Sequence, residues 1–212
     1  MGQQKGSYAS VIEAKIKRKG TGNIYFNSDF KGIEATTTGK VLSRLTDSGM
    51  LIRISQGVYY YPTQTPFGYT MPSDTEIAKA IARRDLARIY PTGETAANII
   101  GISEQVPMKS VYSTDGAARV IFLTNGRKII FKRGVPKNFS YKSDTMPIIV
   151  SALKAIGQKN VTEDNLETIE NLLRKENKPE LYKKDIDLAP SWIRKILYPI
   201  INNIQKNELA KT

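Results

Sequence analysis

Tyr8, Val11, Ile12 and Ile16 recur at helical spacing, and the segment runs out into Lys17, Arg18, Lys19 and Gly20, cations and a stop signal suited to a helix C-terminus. Ile24-Tyr25-Phe26 then reads as a short strand, with Ser28 capping a brief helix that reaches about Ile33. Thr36-Thr37-Thr38 offers hydroxyl caps to a further helix through Ser48, ended by Gly49. On a helical projection Thr38, Val41, Leu42, Leu45 and Gly49 share one side, and Thr36, Thr37, Lys40, Ser43, Arg44 and Asp47 share the other. One side is expected to pack and the other to stay free.

The period then changes. Leu51 to Ile54 and Val58 to Tyr61 are β-branched and aromatic runs around Ser55-Gln56-Gly57, the pattern of a hairpin with a tight turn. Alternation should bury one face of it, so Tyr60 or its neighbours Tyr59 and Tyr61 are expected to pack. Pro62, Pro66, Gly68 and Pro72 break regular structure and place a linker between Pro62 and Pro72. Helix, strand, helix, helix, hairpin is the order of a winged helix-turn-helix.

Beyond the linker, Ser73 and Glu76 form a capping-box pair before a helix expected to carry Ile77, Ile81, Leu86 and Ile89. A shorter helix spans Thr92 to Ile100. Strands at Lys109 to Ser113, Arg119 to Leu123 and Lys128 to Lys132 are joined by Thr114-Asp115-Gly116 and Thr124-Asn125-Gly126, which reads as a three-stranded meander. Helices follow at Met146 to Ile156, Thr162 to Leu173 and from Pro190 through Trp192, Ile193, Ile196 and Leu197. The fold class is therefore α+β in two domains: a winged helix-turn-helix over residues 1–70, and a mixed domain of helices and β-hairpins with a helical end over residues 71–212.

Composition adds a partner. The 212 residues carry 32 Lys and Arg against 20 Asp and Glu, a formal charge of +12, which favours polyanions through counterion release. With neither cysteine nor histidine, disulfides, thiolate metal sites and Ser-His-Asp or Cys-His catalysis are excluded, and no metal or other cofactor is expected. The polar start, Met1 to Gly6, lacks the core of a signal peptide, and no run approaches the roughly 18 apolar residues of a spanning helix. A soluble, cytoplasmic protein without a membrane partner is expected.

In a winged helix one helix enters the major groove and the hairpin reaches flanking phosphates or the minor groove. Double-stranded DNA would then meet Lys40 and Arg44 as donors to guanine edges or phosphates, Thr36, Thr37 and Ser43 as hydroxyl contacts, and Arg53 and Gln56 from the wing. An ordinary solvated helix face is the competing account of Lys40 and Arg44. Lys15, Lys17, Arg18 and Lys19 would add phosphate attraction if the first helix borders the duplex.

Residues 119–142 contain Arg119, Arg127, Lys128, Lys132, Arg133, Lys137 and Lys142 and no acid, a second positive surface that either meets an anionic neighbour or faces only water. Asp185 and Asp187 have the spacing of a nucleotidyltransferase metal pair but lack the upstream Gly-Ser turn. Asp164, Glu176 and Lys178 imitate a nuclease set but fall in or beside a helix, so no enzyme activity is expected.

Leu42-Ser43-Arg44-Leu45, Gly57-Val58-Tyr59-Tyr60-Tyr61-Pro62, Ile81-Ala82-Arg83-Arg84-Asp85, Pro91-Thr92-Gly93 with Ala96-Ala97-Asn98, Gln105-Val106-Pro107 before Thr114-Asp115-Gly116, and Ala189-Pro190-Ser191-Trp192 together span nearly the whole chain. In their order and spacing the sequence resembles the AbiEi-type antitoxins of bacterial abortive-infection systems and their antitoxin-like transcriptional regulators. The resemblance implies a repressor that autoregulates its operon at inverted repeats and counters a nucleotidyltransferase-like toxin encoded beside it. Such pairs act without a stable toxin–antitoxin complex, so direct contact is not implied. Arg83 and Arg84 join the basic residues as candidates for the C-terminal functional surface, an ion pair with Asp85 being the competing account. The alternative reading is a stand-alone winged-helix regulator whose C-terminal domain senses a ligand or dimerises.

Overall fold

The protein is described by a computed structural model covering residues 7–209. The polar start at residues 1–6 lies outside the described residues. The fold is mixed α+β and divides into two compact units. One runs to Leu86 and includes Ile121–Lys128; the other comprises Ala87–Val120 and the chain from Ile129 onward. Among the described residues no helix is long and apolar enough to cross a membrane.

In the first unit, α1 (Tyr8–Lys19) buries Ile12 and Ile16 but leaves Tyr8 and Val11 exposed, so its apolar stripe is narrower than the spacing suggests. Strand β1 (Asn23–Tyr25) leads to a single 3-10 turn at Asn27–Asp29, where the Asp29 carboxylate accepts from the Phe26 amide at 2.8 Å. The short helix expected as far as Ile33 is only this turn. Helix α2 (Ala35–Asp47) follows, then β2 (Ile52–Ser55) and β3 (Val58–Tyr61), with β3 central in an antiparallel sheet of order β1-β3-β2.

Ile12, Ile16, Tyr25, Phe30, Val41, Leu42, Leu51 and Tyr59 form one buried cluster beneath the helices. Because β3 is flanked on both edges and covered on both faces, Tyr59 and Tyr60 are both 5% exposed. Simple alternation, with one wet face, does not describe it.

The proline-rich stretch is not a bare linker. It forms a small hairpin of β4 (Gln64–Thr65) and β5 (Gly68–Tyr69). Helix α3 (Asp74–Arg84) starts with the expected capping box: the Ser73 hydroxyl accepts from the Glu76 amide, and the Glu76 carboxylate accepts from the Ser73 amide at 2.8 Å. It stops at Arg84, short of the Leu86 and Ile89 it was expected to include. Leu86 takes a positive φ of 55° and is 95% exposed.

The segment Ile121–Lys128 completes this unit at the free edge of β2. The Thr124 amide donates to the Ile54 carbonyl at 2.9 Å, the Ser55 hydroxyl to the Phe122 carbonyl at 2.8 Å, and the Thr124 hydroxyl to the Arg53 carbonyl at 3.2 Å. An edge that would otherwise present unpaired backbone groups is thereby occupied.

In the second unit, β6 (Ile89–Pro91) pairs antiparallel with β7 (Lys109–Thr114); the sheet order with β8 (Arg119–Phe122) and β9 (Lys128–Arg133), of which Ile121, Phe122 and Lys128 fall in the first unit, is β6-β7-β9-β8. This is not the expected meander: β9 lies between β7 and β8, and β6 is an additional strand. Helices α4 (Glu94–Ile99), α5 (Met146–Ile156), α6 (Glu163–Glu176), α7 (Pro179–Asp185) and α8 (Ser191–Leu209) enclose a core that includes Met146, Leu153, Leu173, Tyr182 and Leu197. Tyr182 ties the end of α6, its hydroxyl donating to the Leu173 carbonyl at 2.9 Å.

Candidate nucleic-acid interface

Helix α2 separates its faces as its sequence directs. Thr38, Val41 and Leu42 are buried, whereas Thr36, Lys40, Ser43, Arg44 and Asp47 are exposed and Thr37 is half-buried. Among the described residues Lys40 and Arg44 have no ion-pair partner within the chain, so both charges face solvent.

The N-terminus of α2 differs from expectation. The helix starts at Ala35 with Glu34 as its cap residue, and the Thr36 hydroxyl donates to a Glu34 carboxylate oxygen at 2.7 Å instead of capping the helix itself. A carboxylate suits the positive end of the helix dipole but repels a phosphate there. The exposed polar face without an acidic cap is therefore concentrated from Lys40 to Asp47.

On the hairpin, Arg53 and Gln56 are exposed, and Gly57 takes φ +70° in the tight turn beside Gln56. The Arg53 side chain leaves β2 in register with Tyr59, while its carbonyl is held by Thr124. The β2–β3 hairpin is thus braced along the β2 edge rather than free on both sides.

Three of the four cations of α1 are engaged. Lys15 donates to the Asp29 carbonyl at 2.5 Å and lies over the Phe30 ring, Lys17 pairs with Glu13 at 2.6 Å, and Lys19 lies over the Tyr25 ring. The pairing with Glu13 raises the Lys17 pKa. All four residues remain exposed, so their charges are still available at the surface. Tyr25, by contrast, is pushed up to about 12, with burial the main cause, and stays neutral.

The seven basic residues expected on a C-terminal surface fall in different units. Arg83, Arg84, Arg127 and Lys128 belong to the first, and Arg119, Lys132 and Arg133 to the second. Arg84 pairs with Asp85 at 2.8 Å and stacks over Phe26, and burial lowers its pKa. Arg127 pairs with Asp74 in the first turn of α3 at 2.9 Å, Lys128 covers the Phe122 ring and Arg119 the Phe131 ring. These four are at least partly engaged within their own units. Arg83, Lys132 and Arg133 are exposed.

Placing Arg127 and Lys128 on a C-terminal surface from sequence missed that their hairpin tip joins the edge of β2. The tip residues Phe122 and Thr124 carry no local signal for that partnership. Within the first unit as a whole, basic residues outnumber acidic ones two to one.

Asp185 is 1% exposed and accepts from the backbone amides of Lys142 and Ser143, whereas Asp187 is largely exposed near Arg194. Glu176 accepts from the Ser143 hydroxyl at 2.9 Å, and Ser143 in turn accepts from the amides of Thr145 and Met146 at the start of α5.

Neither a curated protein nor a solved structure matches the chain. Residues 11–181 match a family of unknown function designated DUF6088, and the chain belongs to that family.

Proposed function

We propose that the first unit is a winged helix-turn-helix and that the protein is a DNA-binding transcriptional repressor acting in the cytoplasm. The observation that carries this reading is α2, whose buried Thr38, Val41 and Leu42 seat it on the core while Lys40, Ser43 and Arg44 stand free on the opposite side. The strand order β1-β3-β2 supports it, since it places a hairpin directly after that helix. In this reading Arg44 and Lys40 donate to guanine edges or phosphates, Ser43 adds a hydroxyl contact, and Arg53 and Gln56 reach the flanking backbone. Thr37 retains its candidacy, while Thr36 would first have to release Glu34.

The deciding measurement is a gel shift with DNA from upstream of the protein's own gene, at matched ionic strength. The Lys40→Ala, Arg44→Ala double variant is expected to lose binding, with the salt slope falling by about 0.9 for each phosphate contact removed. Unchanged binding would remove α2 from the interface.

The second part of the proposal rests on the sequence resemblance: the protein represses its own operon at inverted repeats and serves as an antitoxin against a nucleotidyltransferase-like toxin, without catalysis of its own. Co-expression of the full chain with the product of a neighbouring nucleotidyltransferase-like gene is expected to relieve growth arrest. Arrest that persists would favour the stand-alone regulator. That second reading has one observation in its favour, a cleft of about 200 Å³ in the C-terminal unit lined by Arg88, Tyr90, Asn138, Phe139 and Tyr141, whose mixture of rings and polar groups suits a small ligand.

A further inference from the structure

Phe67 stands at the apex of the β4–β5 hairpin and is 100% exposed, the most exposed large apolar side chain among the described residues. Tyr69 and Met71 beside it are more than half exposed. A fully wetted phenyl group contributes nothing to the stability of its own unit, yet the backbone beneath it is held firmly. The ring of Pro66 fixes its own φ just before Phe67, the Phe67 amide donates to the Thr65 hydroxyl at 3.3 Å, and that hydroxyl donates to the Gly68 carbonyl at 2.7 Å.

The hairpin is also anchored at its foot. The Thr63 hydroxyl donates to the Thr21 hydroxyl at 2.8 Å, the Gly22 amide to the Tyr61 carbonyl at 2.7 Å, and the Thr70 amide to the Thr63 carbonyl at 3.0 Å. Thr21 lies two residues beyond Lys17-Arg18-Lys19, all exposed, and the stretch from Pro62 to Pro72 contains no acidic residue. A stiff apolar point thus rises from a base fastened beside a run of cations, in the unit where basic residues outnumber acids two to one.

We propose that the β4–β5 hairpin is a nucleic-acid wedge: Phe67 inserts between neighbouring base pairs of duplex DNA from the minor groove, and Lys17, Arg18 and Lys19 hold the phosphates near its foot. This rests on the DNA-binding reading above and adds to it a contact outside α2 and the wing. An apolar side chain that partly unstacks a base step gains the contact area it lacks in the free protein, and the cations supply the attraction that brings the duplex to it. The wedge favours flexible pyrimidine–purine steps, where unstacking costs least.

The test uses the full chain and duplex DNA from upstream of the protein's own gene carrying 2-aminopurine at its TA steps, whose fluorescence rises when the base unstacks. The wild type is expected to raise the signal on binding. Phe67→Ala should abolish the rise and weaken binding about tenfold, Phe67→Trp should preserve both, and the melting temperature should stay unchanged because the side chain touches nothing. The salt slope should be insensitive to Phe67→Ala but should fall when Lys17, Arg18 and Lys19 are replaced together by Gln.

Wild-type binding without a fluorescence rise, or an equal rise from Phe67→Ala, would overturn the wedge and leave DNA binding standing. A wild type that binds no duplex would overturn both. Phe67-dependent binding to vesicles of anionic phospholipid in place of the duplex would overturn the wedge in favour of a lipid contact.

Discussion

A buried carboxylate must be neutralised or hydrogen-bonded, and Asp185 shows the second solution. At 1% exposure it accepts the Lys142 amide at 2.8 and 3.0 Å and the Ser143 amide at 2.7 Å, holding the chain before α5 against the end of α7. Asp185→Ala leaves two amides facing a small void and is expected to cost about 1–3 kcal/mol. Urea unfolding followed by tryptophan fluorescence measures this. Stability equal to the wild type would mean that water replaces the carboxylate. The sequence marks the residue only by its spacing from Asp187, a metal-like signal. Burial assigns it differently, and burial of one acid in a Lys- and Asp-rich stretch has no local pattern.

Elements were readable wherever one face packs and the other meets water. The faces of α2 follow from its sequence, as does the start of α3, because capping and amphipathicity are both local. The end of α3 was not, since Leu86 and Ile89 keep helical spacing while Leu86 adopts a positive φ and Ile89 enters β6. Strand order was equally hidden: the two Asp-Gly and Asn-Gly signals suggest successive hairpins, yet β9 pairs beside β7 through contacts distant in sequence. The capping box of α3 carries its own prediction. Ser73→Ala should cost about 1 kcal/mol in thermal or chemical unfolding. Hydrogen bonds from the backbone and side chain of Ser73 hold the Glu76 carboxyl below its ordinary 4.5. Its contribution to stability is therefore fully present above pH 4.5 and is lost as the pH falls through the lower folded value. Glu76→Gln should make the acid limb of a stability–pH profile shallower below 4.5, and an unaltered limb would show that other carboxylates govern acid unfolding.

At the scale of the whole molecule the chain does not divide at one point. It leaves the first unit after Leu86, returns at Ile121 and leaves again after Lys128. The boundary near residue 70 suggested by the prolines is a local reading of turn residues. It cannot register that α3 and a hairpin tip fifty residues further along belong in one unit with β1–β3. The consequence is physical: a chain cut after residue 70 or 86 keeps α1, α2 and β1–β3 but loses Leu123, which is 6% exposed, and the partners of the Arg53 and Ile54 carbonyls and the Ser55 hydroxyl. The edge of β2 is then open to water or to another copy of itself. Hydrogen exchange is expected to show weaker amide protection over residues 52–61 in such a fragment than in the full chain, with a tendency to self-associate that Thr124→Pro in the full chain reproduces in part. Thr124→Pro removes the amide that donates to Ile54 and the hydroxyl that donates to Arg53 while leaving the chain whole, so it separates the loss of these two edge bonds from the loss of the rest of the tip. Equal protection in all three proteins would mean that the tip rests on β2 without stabilising it. Weaker protection in both altered proteins would make the rigidity of the β2–β3 hairpin, and the DNA contact proposed for Arg53 and Gln56, depend on a segment that the sequence places with the C-terminal strands.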